Sequence, residues 1–213
     1  MPPDMSHDDD ALVTNLRHFA DLASQRPLSF GEAMDTLDSA AYALISIILV
    51  LPFLQPIPLG PITILAGLAF VALGWQMLKG HASPKLPQRI RAVELSENNW
   101  RLLVTVGIKV LKWCRVITRP RLRHLVSGRL GQKIGGSILL VSGVLMAIPF
   151  GVLPLNNVLP GLGVFFYCIG ELKEDGLMVF IAAFWLLVTV IYFAVFFFAL
   201  WHFGNEALAY FRF

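Results

Sequence analysis

Three long stretches of this chain carry no charged side chain, and prolines and glycines interrupt the first two near their middles. Residues 39–78 and 134–170 contain no Asp, Glu, Lys, Arg or His, and neither does the uninterrupted stretch 176–201. A helix needs about 20 residues to cross the roughly 30 Å hydrocarbon core of a bilayer. The pattern therefore predicts an all-α integral membrane protein with a C-terminal transmembrane helix over residues 177–203.

The interruptions divide the first two stretches into short apolar segments. Residues 51–61 read LPFLQPIPLGP, and residues 148–161 read IPFGVLPLNNVLPG. The flanking segments 39–51, 62–78, 134–148 and 162–170 are 13, 17, 15 and 9 residues long. Because most of these are short for a full crossing, we expect two re-entrant helical hairpins, within residues 29–80 and 134–176, each with its proline-rich tip inside the membrane.

The two hairpins resemble each other, which predicts an internal repeat. Pro52 aligns with Pro149 at an offset of 97 positions. At an offset of 96 positions the aligned glycine pairs are Gly67 with Gly163, Gly74 with Gly170, and Gly80 with Gly176. Repeated broken helices are typical of transporters that bind their substrates near the middle of the membrane.

Amphipathic and capping patterns organise the N-terminal part of the chain. Residues 1–28 are expected to include an amphipathic helix that ends at Pro27. Its apolar face is formed by Leu12, Leu16, Phe19 and Leu22. Ser29 and Glu32 have the spacing of a capping box, which predicts that the first core helix begins there. Residues 204–213 form a short tail.

A basic linker, residues 81–133, joins the two hairpins. The stretch from Lys79 to Lys133 holds 13 of the 17 Lys and Arg residues, so the positive-inside rule places its loops in the cytoplasm. A helix is predicted over residues 100–117. Its polar stripe consists of Arg101, Thr105, Lys109, Lys112 and Arg115. The stripe is typical of a basic amphipathic helix on an anionic lipid surface; alternatively, it lines an aqueous cavity and binds a phosphate.

The linker helix also decides the topology. If residues 100–117 cross the membrane, the hairpins enter from opposite sides as inverted repeats. If this helix lies on the surface, both hairpins enter from the cytoplasm.

The chain lacks the sequence signatures of common catalytic and metal sites. Its five His and two Cys residues have no metal-binding spacing, and no catalytic triad or nucleotide-binding loop is recognisable. We therefore expect a protein that is not an enzyme and has no cofactor, no metal and no nucleic-acid partner. An enzyme acting on a lipid headgroup is the least favoured alternative.

Seven polar residues are candidates for a site. The predicted substrate-binding residues are Gln55, Asn156 and Asn157 at the tips, and Arg119 and Arg121 in the linker. Glu171 and Asp175, at the edge of the second charge-free stretch, are candidates for ion or proton coupling. For Glu171 the alternative is an anchor at the membrane boundary. For the two asparagines it is a structural role, in which their amides bind backbone groups that the prolines leave unpaired.

Several of these segments together resemble the ExoD family of bacterial membrane proteins. The matching segments are LP…PIPLGP at 51–61, QMLKG at 76–80, PKLP at 84–87, RPRL at 119–122, PLNNVLP at 154–160 and EDG at 174–176. Lys85 departs from the pattern, because an aromatic residue is expected there. The resemblance implies a multi-pass protein of the bacterial inner membrane that is linked to exopolysaccharide synthesis, and it supplies no catalytic residues.

Two functions fit this reading. The first is a small transporter with its site between the two hairpins, whose basic neighbours suggest an anionic ligand such as a polyprenyl phosphate. The alternative is a non-catalytic scaffold for polysaccharide assembly. We expect membrane lipids as partners in both cases, and a homo-oligomer because the chain is small for a transporter.

Overall fold

The computed structural model describes residues 14, 18, 19, 21–24, 26, 29, 31, 32, 40–55, 60–92, 96–148 and 155–210. Over these residues the chain is helical and contains no strand. The helices are α1 (Ala40–Val50), α2 (Pro61–Leu78), α3 (Gln88–Arg91), α4 (Glu97–Ile117), α5 (Gly128–Ala147), α6 (Val158–Leu172) and α7 (Leu177–Tyr210). Short 3₁₀ turns occupy Leu51–Leu54 and Arg123–Leu125. The predicted all-α fold is confirmed.

Three helices in the described residues are long and apolar enough to cross a membrane: α2, α5 and the Leu177–His202 part of α7. The apolar segments Ala40–Leu54 and Val158–Leu172 are shorter. Sequence reasoning underestimated α5, which has 20 residues and begins at Gly128. The first turns of α5 carry exposed polar residues, so the charge-free stretch starts only at residue 134. The helix itself begins earlier, because a helix can include polar turns.

The backbones of α2 and α5 are in direct contact through glycines. Gly67 faces Gly143, and Gly74 faces Gly136. A Cβ atom on Gly67 would lie 2.7 Å from the Gly143 carbonyl oxygen, and one on Gly74 would lie 2.6 Å from the Gly136 carbonyl oxygen. Since the early part of α2 meets the late part of α5, the two helices are antiparallel. The chain therefore leaves α1 and α5 at the same end of the molecule, which we call the tip end.

This geometry bears on the two predicted topologies. The described ends of the two hairpins, at residues 54, 60, 148 and 155, lie at the tip end, as expected if the hairpins enter from one side. The α4 helix is not among the helices in the described residues that are long and apolar enough to cross a membrane. The tip residues 56–59 and 149–154 themselves lie outside the described part of the chain. We call the opposite end, where the basic linker lies, the linker end.

The short helix α6 forms the centre of the core. It packs against α1, α5 and α7, and the 3₁₀ turn lies against its first turns. Its buried residues are Leu159, Pro160, Gly161, Gly163, Val164, Phe165, Tyr167, Cys168, Ile169 and Gly170. Val50 and Leu54 approach Gly161, so the end of the first hairpin's ascending arm meets the start of α6. α1 and α6 are therefore antiparallel neighbours.

The helix pairing fits the predicted repeat, whereas the surroundings of the aligned glycines do not. Pairing α1 with α6 and α2 with α5 is what a two-fold relation between the hairpins requires. The aligned glycines, however, differ in their surroundings. Gly67 contacts the backbone of α5, whereas a Cβ on Gly163 would lie 3.5 Å from the Ala182 oxygen, an ordinary contact. The repeat stays a prediction, and its best support is now the pairing of helices.

The predicted linker helix 100–117 is present within α4. Trp100 and Val104 are buried against Phe19, Ala41 and Leu44. Phe19 and Trp100 have ring centroids 6.3 Å apart, so part of the predicted N-terminal apolar face packs on α4. The exposed residues of the polar stripe are Arg101, Thr105, Lys109 and Lys112. α4 therefore covers the linker end of α1 with its apolar side and exposes Arg101, Lys109 and Lys112.

The predicted N-terminal cap is present in part. The Glu32 N–H donates to the Ser29 hydroxyl oxygen at 3.3 Å, as expected for an N-cap serine. The Glu32 carboxylate binds Arg26, with the shorter contact at 2.6 Å, and these hydrogen bonds hold the pKa of Glu32 below its usual value. Leu12, Leu16 and Pro27 lie outside the described residues.

Candidate functional site

A buried hydrogen bond joins the two hairpins at the tip end. Asn157 immediately precedes α6, and Thr63 lies in the first turn of α2; both side chains are buried. The Asn157 Nδ2 donates to the Thr63 Oγ1 at 3.1 Å, across 94 positions of the chain. The Asn157 Oδ1 is buried and has no hydrogen-bond partner within the described residues. The amide nitrogen of Asn157 is thus hydrogen-bonded, while its amide oxygen can still accept a hydrogen bond from a further polar group.

The N-termini of α2 and α6 meet at this bond. The first turns of a helix leave N–H groups without intrahelical partners and carry the positive end of the helix dipole. Pro61 at the start of α2 is well placed, because proline has no N–H to satisfy. Two positive helix ends and a buried amide therefore converge between the hairpins, an arrangement that suits an anionic group.

The other predicted tip residues lie at the margin of this pair. Gln55 is exposed, where the chain leaves the 3₁₀ turn. Asn156 is half-buried and has interactions of its own. The structure thus places Asn157 between the hairpins, with Asn156 beside it and Gln55 at the surface.

An apolar groove with a volume of about 570 Å³ opens beside the tip pair. It lies between α1, the 3₁₀ turn and α2, and Leu103 of α4 contributes to its wall. The lining residues are Ile45, Ile48, Leu49, Pro52, Phe53, Ile62, Leu65, Ala66, Ala69 and Leu103. None of these is polar, so the groove suits a hydrocarbon chain. Sequence reasoning missed it, because no local pattern shows that α1, α2 and α4 leave this space.

At the linker end, a buried carboxylate binds the basic segment that follows α4. Asp175 is fully buried. Its Oδ1 accepts hydrogen bonds from Arg121 Nε and the Leu177 N–H, both at 3.0 Å. Its Oδ2 accepts from the Arg119 N–H at 3.1 Å. The carboxylate thereby caps the start of α7 and fixes the linker to it.

Backbone contacts complete this connection, which we call the clasp and define as residues 119–122 together with 174–176. The Gly176 N–H donates to the Arg121 carbonyl oxygen at 2.7 Å, and the Arg121 N–H donates to the Glu174 carbonyl oxygen at 3.3 Å. Leu122 and Glu174 both have positive φ, at 51° and 52°. Gly176 packs so closely on Leu122 that a side chain there would collide with its backbone.

The clasp separates the roles of the two predicted arginines. Arg121 is engaged by Asp175, whereas the Arg119 side chain is exposed and only its backbone takes part. Arg123, beside them, forms an ion pair with Glu174 at 2.9 Å. Asp175 lies two residues before the apolar α7, and Asp is a residue type that favours N-caps; the sequence analysis did not use this signal. Its partner Arg121, 54 positions away, carries no such signal.

Glu171 lies on the last turn of α6, also at the linker end. The residue is half-buried, but its Oε2 atom is buried without a hydrogen-bond partner. Along α6, Asn157 and Glu171 are thus separated by about 21 Å, and the clasp lies beyond Glu171 at the linker end. The predicted site residues fall into two groups, one at each end of α6. Within the described residues, no group of three His, Cys, Asp or Glu side chains could hold a metal ion.

These features define a helical protein with three helices long and apolar enough to cross a membrane, a polar contact between two hairpins and a basic end. The chain belongs to the ExoD family, described as exopolysaccharide synthesis, whose model matches residues 12–195. It is 30% identical to Protein ExoD of Rhizobium meliloti (strain 1021) over 168 residues, which is 79% of this chain and 70% of that protein. The predicted family is confirmed.

A second relative is the uncharacterized protein slr1875 of Synechocystis sp. (strain ATCC 27184 / PCC 6803 / Kazusa). The identity is 28% over 137 residues, which cover 64% of this chain and 63% of that protein. No solved structure matches this chain.

Proposed function

We propose that this ExoD-family protein is a small, non-enzymatic transporter of the bacterial inner membrane, and that it moves an anionic isoprenoid lipid phosphate used in exopolysaccharide synthesis. The observation that carries the proposal is the Asn157–Thr63 contact, where two helix N-termini and a half-bonded buried amide meet beside an apolar groove. The phosphate binds at the helix ends, and the isoprenoid chain lies in the groove. Membrane lipids are the other partners.

Helix lengths support tips that remain inside the bilayer. The α6 helix extends about 22 Å and α1 is shorter, whereas α2 extends about 27 Å and α5 about 30 Å. The hydrocarbon core is about 30 Å thick. One arm of each hairpin, α1 or α6, is thus too short to cross it in full, while the other arm is long enough. We propose that the hairpins are re-entrant, which puts the unpartnered amide oxygen of Asn157 at a depth where polar groups are costly unless they serve a ligand.

A specific observation also favours the alternative function, a membrane scaffold. The α2–α5 contact is closed by backbone against backbone and leaves no passage between these two helices. A scaffold would use the exposed apolar face of α7 to bind a second copy or another membrane protein. The exposed residues of this face include Phe180, Phe184, Leu187, Ile191, Val195 and Phe198. Transport and scaffolding differ in whether purified protein alone moves a lipid.

Replacing Asn157 by alanine is expected to slow lipid movement while the protein remains folded. Losing a hydrogen bond to a charged ligand costs about 1.5–3 kcal/mol, which corresponds to roughly a tenfold to hundredfold loss of binding. Losing the Thr63 bond costs about 1 kcal/mol of stability. The measurement uses proteoliposomes and a short polyprenyl phosphate with a fluorescent label at its far end, and follows quenching from outside.

Asn156→Ala tests the neighbouring amide in the same assay, and Asn98→Ala, an exposed position on α4, is the matched control. We expect the control to behave like the parent protein. Equal transport by the Asn157→Ala variant, or a loss of transport that only follows the loss of folded protein, would remove the substrate role. Failure of the unmodified protein to move the probe would favour the scaffold.

The clasp predicts that Arg119 and Arg121 act differently on anionic lipid. Arg119→Gln should weaken binding to vesicles that contain anionic lipid, by about 1 kcal/mol for one basic residue near the surface, without changing the melting temperature. Arg121→Gln should lower the melting temperature, because it removes a partner of the buried Asp175. Vesicle co-flotation at low and high salt and thermal melting separate the two effects. Identical binding by the parent protein and the Arg119→Gln, Arg121→Gln double variant would contradict a phosphate role.

A further inference from the structure

The carboxyl group of Glu171 lies in a pocket of uncharged polar side chains at the linker end of α6. Tyr42 of α1, together with Tyr167 and Cys168 of α6, interacts electrostatically with it. The Tyr42 hydroxyl donates to the Ser83 carbonyl oxygen at 3.1 Å, and the Tyr167 hydroxyl donates to the Gly131 carbonyl oxygen at 3.2 Å. Both phenols are thus anchored to the linker end. The Tyr167 hydroxyl also lies within hydrogen-bonding range of the Glu171 carboxyl group, while the Glu171 Oε2 atom has no hydrogen-bond partner within the described residues.

The two carboxylates that follow Glu171 along the chain are engaged elsewhere. Glu174 pairs with Arg123, and Asp175 accepts from Arg121 and two backbone N–H groups. Lys173 is buried and has contacts of its own. Glu171 also lies at the C-terminal end of α6, where the helix dipole opposes a negative charge. An ionised carboxylate is costly in such a place, whereas a neutral acid is not.

The remaining unpartnered atoms extend from Glu171 toward the tip. Within the described residues, the buried side-chain atoms without partners are Ser46 Oγ, Ser142 Oγ, Asn157 Oδ1 and Glu171 Oε2. Ser46 lies beside Cys168, and Ser142 lies beside Gly163. All four residues therefore lie on α6 or against it. Their levels along α6, at positions 171, 168, 163 and 157, are separated by about 4.5, 7.5 and 9 Å.

We propose that Glu171 is a proton-binding site that couples a proton gradient to transport. The inference rests on the proposed transport function and assigns its driving ion. The proton comes from water at the linker end and forms an O–H bond with a Glu171 carboxylate oxygen. On release that bond breaks, and the proton returns to water on the tip side. Asp175 takes no part, because its carboxylate oxygens are occupied by the clasp.

The first experiment uses the apolar reagent dicyclohexylcarbodiimide on purified full-length protein in detergent. A protonated carboxylic acid adds across one C=N bond of the reagent: its oxygen binds the central carbon and its proton moves to nitrogen, with no leaving group. The O-acylisourea formed rearranges as its acyl group moves from oxygen to nitrogen, and the resulting N-acylurea stays on the protein and is located by mass spectrometry. We expect an adduct on Glu171 that diminishes as the pH is raised, is lost in Glu171→Gln, returns in Glu171→Asp and is unchanged in the exposed control Glu97→Gln.

The second experiment follows the labelled polyprenyl phosphate in proteoliposomes with and without an imposed pH gradient. We expect the gradient to accelerate its movement in the parent protein and in Glu97→Gln, and to have no effect in Glu171→Gln. An adduct that persists in Glu171→Gln, or a parent protein whose transport ignores the gradient, overturns the inference, and the latter leaves transport itself standing. If the parent protein moves no probe, the proposed function fails, whereas the labelling result still decides whether Glu171 binds a proton.

Discussion

Replacing Gly67 by valine is expected to prevent the stable packing of α2 against α5. A Cβ atom at this position would lie 2.7 Å from both the Ala147 nitrogen and the Gly143 oxygen, and neither is a flexible side chain that can move away. Overpacking a core typically costs about 1–3 kcal/mol, and a branched side chain against backbone belongs at or above the upper end of that range. We expect a large loss of folded protein, measured by size-exclusion chromatography in detergent and by thermal melting.

Gly163→Ala is the matched control, because it adds a methyl group to another buried glycine. The new Cβ would lie 3.5 Å from the Ala182 oxygen and 3.6 Å from the Ser142 hydroxyl oxygen, which are ordinary contacts. This variant should melt close to the parent protein. If the Gly67 and Gly163 variants melted alike, the backbone contact between α2 and α5 would not be what limits the fold.

Removing the Asp175 side chain is expected to be the second most damaging change. Asp175→Ala deletes the acceptor of one arginine and two backbone N–H groups, and one of these, the Leu177 N–H, begins α7. Losing an N-cap costs about 0.5–2 kcal/mol, and each buried donor left without a partner adds about 1–3 kcal/mol. We therefore expect a loss of at least about 2 kcal/mol in the free energy of unfolding, seen as a lower melting temperature in detergent.

Glu174→Gln provides the comparison for Asp175, since it weakens only the pair with Arg123. The two side chains of that pair are 51% and 41% exposed, and exposed ion pairs contribute about 0–1 kcal/mol. The variant should therefore be nearly neutral. A neutral Asp175→Ala would show that the carboxylate neither caps α7 nor holds the linker, and the clasp would then rest on its backbone bonds alone.

Local signals predicted the local structure well. Ser29 and Glu32 lie three residues apart, and their N-cap bond forms as the capping rule requires. The stripe from Arg101 to Lys112 has helical spacing and lies on the exposed side of α4. In both cases the pattern and its cause lie within a few turns of one helix, so the sequence alone carries the information.

Contacts between distant segments could not be predicted from the sequence. The regular offset between Gly67 and Gly163 predicted similar roles, yet only Gly67 meets a neighbouring backbone, because a glycine pattern does not reveal which helix faces it. Asn157 was a predicted site residue, but its partner Thr63 was not, since 94 positions separate them. Ser46 and Ser142 were not singled out from the sequence, because a serine in an apolar segment carries no signal of its partners; in the described residues their hydroxyl oxygens are buried without hydrogen-bond partners.

The clasp has a consequence for how the chain is assembled during synthesis. The bonds between Arg121 and Asp175 span 54 residues, so they form only after the whole second hairpin has left the ribosome. The same carboxylate supplies the first hydrogen-bond acceptor of α7. The Asp175 carboxylate therefore both closes the second hairpin and fixes the residue at which the last helix begins. A chain truncated before Asp175 would lack both contacts.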